Sequence, residues 1–144
     1  IYDLIEWSCL EDAQKALAGK KTYDTWQEGF LHIFEAVKEN KPFVMNVYRS
    51  VSREQIENYL FSLTYDLLLG VVNEQAEGMS VRDEDKAFIA NVYKYTFVGL
   101  MLEWIKGDMK EDPKRIIDRL TLVIHGSVRN ALERLRADSS LSKP

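Results

Sequence analysis

Two histidines and one cysteine are the side chains of this 144-residue chain best suited to metal or nucleophilic chemistry. His32 and His125 fall on different helical segments, and neither has a second His or Cys at ligand spacing. Each therefore reads as a capped or partly exposed histidine rather than a metal ligand. Cys9 stands alone, so no internal disulfide can form, and in an apolar helix it reads as a small core residue. The acid groups Glu11-Asp12, Asp83-Glu84-Asp85 and Glu111-Asp112 lie at helix ends or on polar faces. Negative charge in a first helical turn is explained by the helix dipole without catalysis. No glycine-rich phosphate loop, nucleophile elbow or His-Glu-x-x-His motif occurs. The expectation is a protein that is not an enzyme and uses no metal or cofactor.

Asn58, Ser62 and Asp66 recur at four-residue spacing along an apolar segment. One reading, the favoured one, is the solvent-facing edge of that helix. The other is a polar handle in a pocket, where Asp66 would select a cation or a hydroxyl-rich ligand. Aromatic residues supply the walls such a pocket would need. Trp26, Phe30, Phe34, Tyr59, Phe61, Tyr65, Tyr93 and Phe97 all fall on inner faces of neighbouring helices. Most must be core, since aromatic rings carry a large share of burial. Should a pocket exist, its expected lining is Trp26, Phe30, Phe61, Tyr65, Asp66, Tyr93 and Phe97.

The elements that position these residues are helices. Three prolines and seven glycines are the only breakers, and apolar spacing of three and four dominates throughout. No long alternation marks a strand, and no Asn-Gly or Asp-Gly hairpin turn is present. The fold class is all-α, with about six helices. The first spans about Tyr2 to Ala18, with Leu4, Ile5, Cys9, Ala13 and Leu17 on one face and Gly19 as a stop. A second, capped by Thr22 or Asp24, carries Trp26, Phe30, Ile33, Phe34 and Val37 and ends near Asn40, before Pro42. A short third runs from Pro42 to Arg49. Ser52 and Gln55 form a capping-box pattern for the fourth, whose broad apolar band makes it central. The fifth runs from Asp83 to Ile105. The sixth opens at Pro113 and continues to Leu135, with Ile117, Leu120, Ile124, Val128 and Ala131 on its apolar side.

Tyr95 to Leu102 runs more than two turns without a charge, so it needs cover on a second side. Gly99 within it costs about 1 kcal/mol relative to Ala, which suggests close approach of another backbone. The expected consequence is a homodimer through the fifth and sixth helices. Its interface would use Phe97, Val98, Gly99, Met101, Leu102, Ile117, Leu120, Ile124, Val128 and Ala131.

Net charge −4 and pI near 5.3 give no basic field, so the chain alone is a poor nucleic-acid binder. No run approaches the roughly 18 apolar residues of a spanning helix. No signal-peptide pattern is present, and a lone cysteine fits a reducing compartment, so the expected location is the cytoplasm. The start at Ile1 rather than Met reads as a fragment or a processed chain. Residues 1–138 are read as one domain and 139–144 as a flexible tail.

Tyr2-Asp3-Leu4-Ile5-Glu6-Trp7 resembles the start of the regulatory domain in TetR-type transcriptional regulators, just after their helix-turn-helix. Phe97-Val98-Gly99, Trp104-Ile105 and Gly107-Asp108-Met109-Lys110-Glu111-Asp112-Pro113 resemble the penultimate helix and following turn of one subgroup. That subgroup includes activators similar to the regulator of dihydroxyacetone kinase operons. Asn40-Lys41-Pro42-Phe43 is similar to its mid-domain connection. The resemblance spans Tyr2 to about Leu135. It implies a dimer formed by the last two helices of each subunit and a pocket between the middle helices. The pocket would take a small-molecule effector or answer to a regulatory protein, and DNA would be reached only through the missing N-terminal domain. A protein-interaction module with a filled core is the alternative.

Overall fold

The computed structural model describes residues 26–50 and 53–136, and all of its regular structure is helical. The helices are α1 (Trp26–Glu39), α2 (Lys41–Tyr48), α3 (Arg53–Gln75), α4 (Asp83–Lys106), α5 (Pro113–Ile124) and α6 (Ser127–Leu135). The helix expected at Tyr2 to Ala18, the caps Thr22, Asp24 and Ser52, and the 139–144 tail lie outside the described residues.

α1 buries Trp26, Phe30, Ile33, Phe34 and Val37, the stripe that its spacing predicts. It stops at Asn40, whose Nδ2 donates to the carbonyl of Ala36 at 2.8 Å and satisfies a free acceptor at the helix end. α2 follows at once with Pro42 in its first turn, where a missing N–H costs nothing. α3 and α4, the two long helices, pack along each other and form the centre of the bundle. α1 lies against α2, α3 and α5, and α6 closes on α3 and α4. The acids Asp83, Glu84 and Asp85 stand in the first turn of α4. Arg82 just before them meets Asp85 at 3.0 Å and Glu84 at 3.2 Å. The hydrogen bond to Asp85 is the main reason its guanidinium holds its proton more tightly than usual.

Aromatic rings link α1 to α4 in a continuous series. Trp26 meets Phe97 at 5.3 Å between centroids, Phe97 meets Phe30 at 4.7 Å, and Phe30 meets Phe34 at 4.9 Å. Phe34 then meets Trp104 edge-on at 4.8 Å. Trp104 also donates its indole N–H to the carbonyl of Glu111 at 2.8 Å, which ties the α4–α5 turn to the core. That turn is strained: Asp108 and Met109 have φ of 66° and 56°. Met109 is buried beneath it, and Lys41 holds it from α2 by donating to the carbonyl of Asp108 at 2.8 Å. Asp112 caps α5 by accepting from the backbone N–H of Lys114 at 3.0 Å.

One boundary differs from expectation. The helix predicted as continuous from Pro113 to Leu135 breaks at His125 and Gly126, giving α5 and α6. Gly126 is left-handed at φ 76°, a conformation open to glycine and costly for residues with a Cβ. Apolar spacing of three and four carries across the break, from Ile117 and Leu120 through Ile124 to Val128 and Ala131, and so the pattern alone hides it.

Candidate functional site

The break brings side chains from five helices around one cavity of about 270 Å³. α1 contributes Trp26 and Gln27, α3 contributes Leu68 and Val71, and α4 contributes Tyr93 and Phe97. Thr121, Ile124 and His125 approach from the end of α5 and its turn, and Val128 from α6. Ser127 fixes the turn. Its hydroxyl donates to the carbonyl of Ile124 at 2.7 Å and accepts from the Tyr93 phenol, so α4 is pinned to the α5–α6 junction. The hydroxyl of Thr121 turns back to the carbonyl of Ile117 at 2.8 Å.

No Asp, Glu, Lys or Arg lines this cavity among the described residues. His125 is its one titratable imidazole, and that side chain is exposed. Gln27 presents the least usual feature, because its Oε1 is buried and accepts no hydrogen bond. Buried amide oxygens are nearly always paired, since leaving one unpaired costs roughly 1–3 kcal/mol.

The seven residues expected to line one pocket separate into four places. Trp26, Tyr93 and Phe97 line the cavity. Phe30 has no exposed surface and packs between Phe34 and Phe97 in the solid core. Phe61 and Tyr65 line an open cleft between α3 and α4 with Ser62, Phe88, Asn91 and Lys94. There the ammonium of Lys94 lies 5.5 Å from the Phe61 ring and 4.7 Å from that of Tyr95, within cation–π range. Asp66 is exposed and borders a shallow groove with Asn73, Glu74 and Glu77. Asn58 and Ser62 are exposed too, as the solvent-edge reading of that stripe has it. Gln27, Thr121 and His125 are the lining residues that periodicity gave no reason to select. Ile124 and Val128 were read as interface.

The expected interface residues also divide. Phe97, Val98, Met101, Ile117, Leu120 and Val128 are buried within the chain's own core. Leu102, Ile124 and Ala131 are half-buried against it. Gly99 alone is exposed, and a Cβ built there meets nothing within 4 Å. The uncovered apolar surface of α4 is instead Phe88, Val92 and Tyr95, each at least half exposed. On α5 it is Leu122 and Val123, 82% and 80% exposed. A groove of about 910 Å³ runs between these helices, lined by Thr96, Leu100 and Glu103 on one side and by Arg119, Leu120 and Val123 on the other.

No group of three His, Cys, Asp or Glu that could hold a metal occurs among the described residues, and no described helix is long and apolar enough to cross a membrane. No curated protein and no solved structure matches the chain. A family model does: TetR_C_8, described as "Transcriptional regulator C-terminal region", matches residues 24–126, well over half of the sequence. All of the cavity lining except Val128 falls within that span, as do the turn from Gly107 to Pro113 and the two long helices. The all-α chain therefore belongs to this TetR-type family of transcriptional-regulator C-terminal regions.

Proposed function

We propose that this chain is the effector-sensing and dimerisation domain of its regulator, and that it controls DNA binding by a helix-turn-helix domain of the parent protein. The observation that carries the sensing half is the cavity walled by five helices and bounded by the α5–α6 break, whose described lining carries no Asp, Glu, Lys or Arg. A ligand there would contact α1, α3, α4 and the junction at once. It would favour whichever packing of these helices gives it the better contacts, and so shift their population. Paired recognition helices must match half-sites about one DNA turn apart, so a change in helix packing that alters their separation alters operator binding. The turn from Gly107 to Pro113, closed by Trp104, supports placing the parent among regulators similar to those of dihydroxyacetone kinase operons. The dimerising half is supported by the apolar surface left open on α4 and α5. A cytoplasmic protein is the corresponding location.

Thermal melts against a library of small compounds test the sensing role. At least one uncharged compound should raise the melting temperature in proportion to the logarithm of its concentration. Val128→Phe, which fills the cavity from α6, should abolish that rise while leaving the protein folded. A library with no stabilising member would instead favour a protein-interaction module.

A further inference from the structure

The polar features of the cavity narrow the ligand it would take, an inference that rests on the sensing role above. A charged ligand is disfavoured, because no described lining residue offers an opposite charge and burial of an unpaired ion is heavily penalised. His125 does not change this, since an exposed imidazole is screened by water and cannot neutralise an anion held deep among Leu68, Val71 and Phe97. Size sets a second limit. An apolar cavity of roughly 150 Å³ holds benzene, so one of about 270 Å³ has room for a compound of about two fused rings.

Hydrogen bonding sets the third. The Tyr93 hydroxyl is engaged with Ser127, the Ser127 hydroxyl with the carbonyl of Ile124, and Thr121 with that of Ile117. Gln27 Oε1 is the buried side-chain atom of the described lining that has no hydrogen-bond partner at all, and it is an acceptor. We infer that the cavity selects an uncharged, largely aromatic molecule of about two rings carrying a hydrogen-bond donor, and that Gln27 Oε1 receives that donor. Gln27 is thereby the specificity-determining residue. A site built to pair a donor rejects the analogue that lacks one, because the amide oxygen is then left buried and unpaired.

Three probes test this by calorimetric titration: 2-naphthol, which has the donor; 2-methylnaphthalene, of nearly the same shape without it; and 2-naphthoate, an anion. The wild-type chain should bind 2-naphthol at least about tenfold more tightly than 2-methylnaphthalene, despite the greater hydrophobicity of the latter. It should not bind 2-naphthoate. Gln27→Met and Gln27→Leu keep the side-chain size and remove the acceptor, and each should bring the ratio close to one by weakening 2-naphthol alone. Two variants guard against loss of fold in either, which their melting curves would reveal. Equal binding of the two neutral probes by the wild type, or a ratio unchanged in the variants, would overturn the role of Gln27 while leaving the cavity a binding site. Preferred binding of 2-naphthoate would overturn the uncharged class. If none of the three binds but a compound from the thermal-melt library does, the ligand class is wrong; if no compound binds at all, the sensing role itself falls.

Discussion

Thr64 and Gln27 both carry a buried oxygen without a hydrogen-bond partner, but their settings differ. Thr64 has no exposed surface and borders none of the cavities described above, so nothing offsets the desolvation of its hydroxyl. Thr64→Val, which keeps the shape and removes the orphan, should raise unfolding free energy by about 1 kcal/mol in urea melts. A loss of stability would mean that the hydroxyl has a partner. Phe30 shows the opposite case, a ring whose value is entirely in packing. It touches Phe34 and Phe97 in the aromatic series, and Phe30→Ala should cost about 3–5 kcal/mol in the same melts. A cost below about 1 kcal/mol would show that the core collapses around the gap. At this scale the sequence was informative about which rings are buried and uninformative about which face a void. Phe30 and Phe97 share the same helical pattern of burial, yet only Phe97 reaches the cavity. Periodicity reports the direction of a side chain, not whether another fills the space beyond it.

Element boundaries were legible where breakers are strong. Asn40 with Pro42 and Asp112 with Pro113 fall at helix ends, as their chemistry requires. The α5–α6 break was hidden because a lone glycine inside an apolar pattern is tolerated by a helix at modest cost. Here it is not merely tolerated. Gly126 holds φ at 76°, and no atom lies within 4 Å of a Cβ built there, so a larger residue would suffer from backbone conformation rather than crowding. Gly126→Ala should therefore cost about 1–2 kcal/mol in a denaturant melt. Ala at the exposed Gly99, which is helical and equally uncrowded, should instead stabilise the monomer by up to about 1 kcal/mol. If Gly126→Ala raised stability instead, the left-handed conformation at Gly126 would be wrong. Gly126 matters for function because the junction it forms is one wall of the cavity. Tyr93 and Ser127 hold that wall to α4, so whatever loosens the junction reshapes the site.

At the level of the whole molecule, the surplus of apolar surface on the C-terminal helices was evident from sequence, but its location was not. The pattern could not say which half of an all-round apolar helix faces its own chain. The fold resolves that division: Phe97, Val98 and Met101 turn inward, while Phe88, Val92 and Tyr95 follow one another along the outer side of α4. Leu122 and Val123 on α5 are the most exposed of the large apolar residues described, which is hard to account for in a chain that stays alone. A second copy related by a two-fold axis would cover both strips with the same patch, and an interface of roughly 1,600 Å² in total would be of ordinary size. Since Leu122 and Val123 contribute almost nothing to the monomer core, Leu122→Glu combined with Val123→Glu should leave the melting temperature of the monomer nearly unchanged. Burying two carboxylates without partners would nevertheless disfavour association strongly. The wild type should sediment as a dimer at micromolar concentration and the double variant as a folded monomer. Gly99→Arg should act in the same way, because its exposed position admits a side chain in the monomer. Ala131→Arg is less diagnostic, since Ala131 is half-buried against the core and its replacement would strain the fold as well. A wild type that sediments as a monomer, or a double variant that stays dimeric, would remove α4 and α5 as the pairing surface.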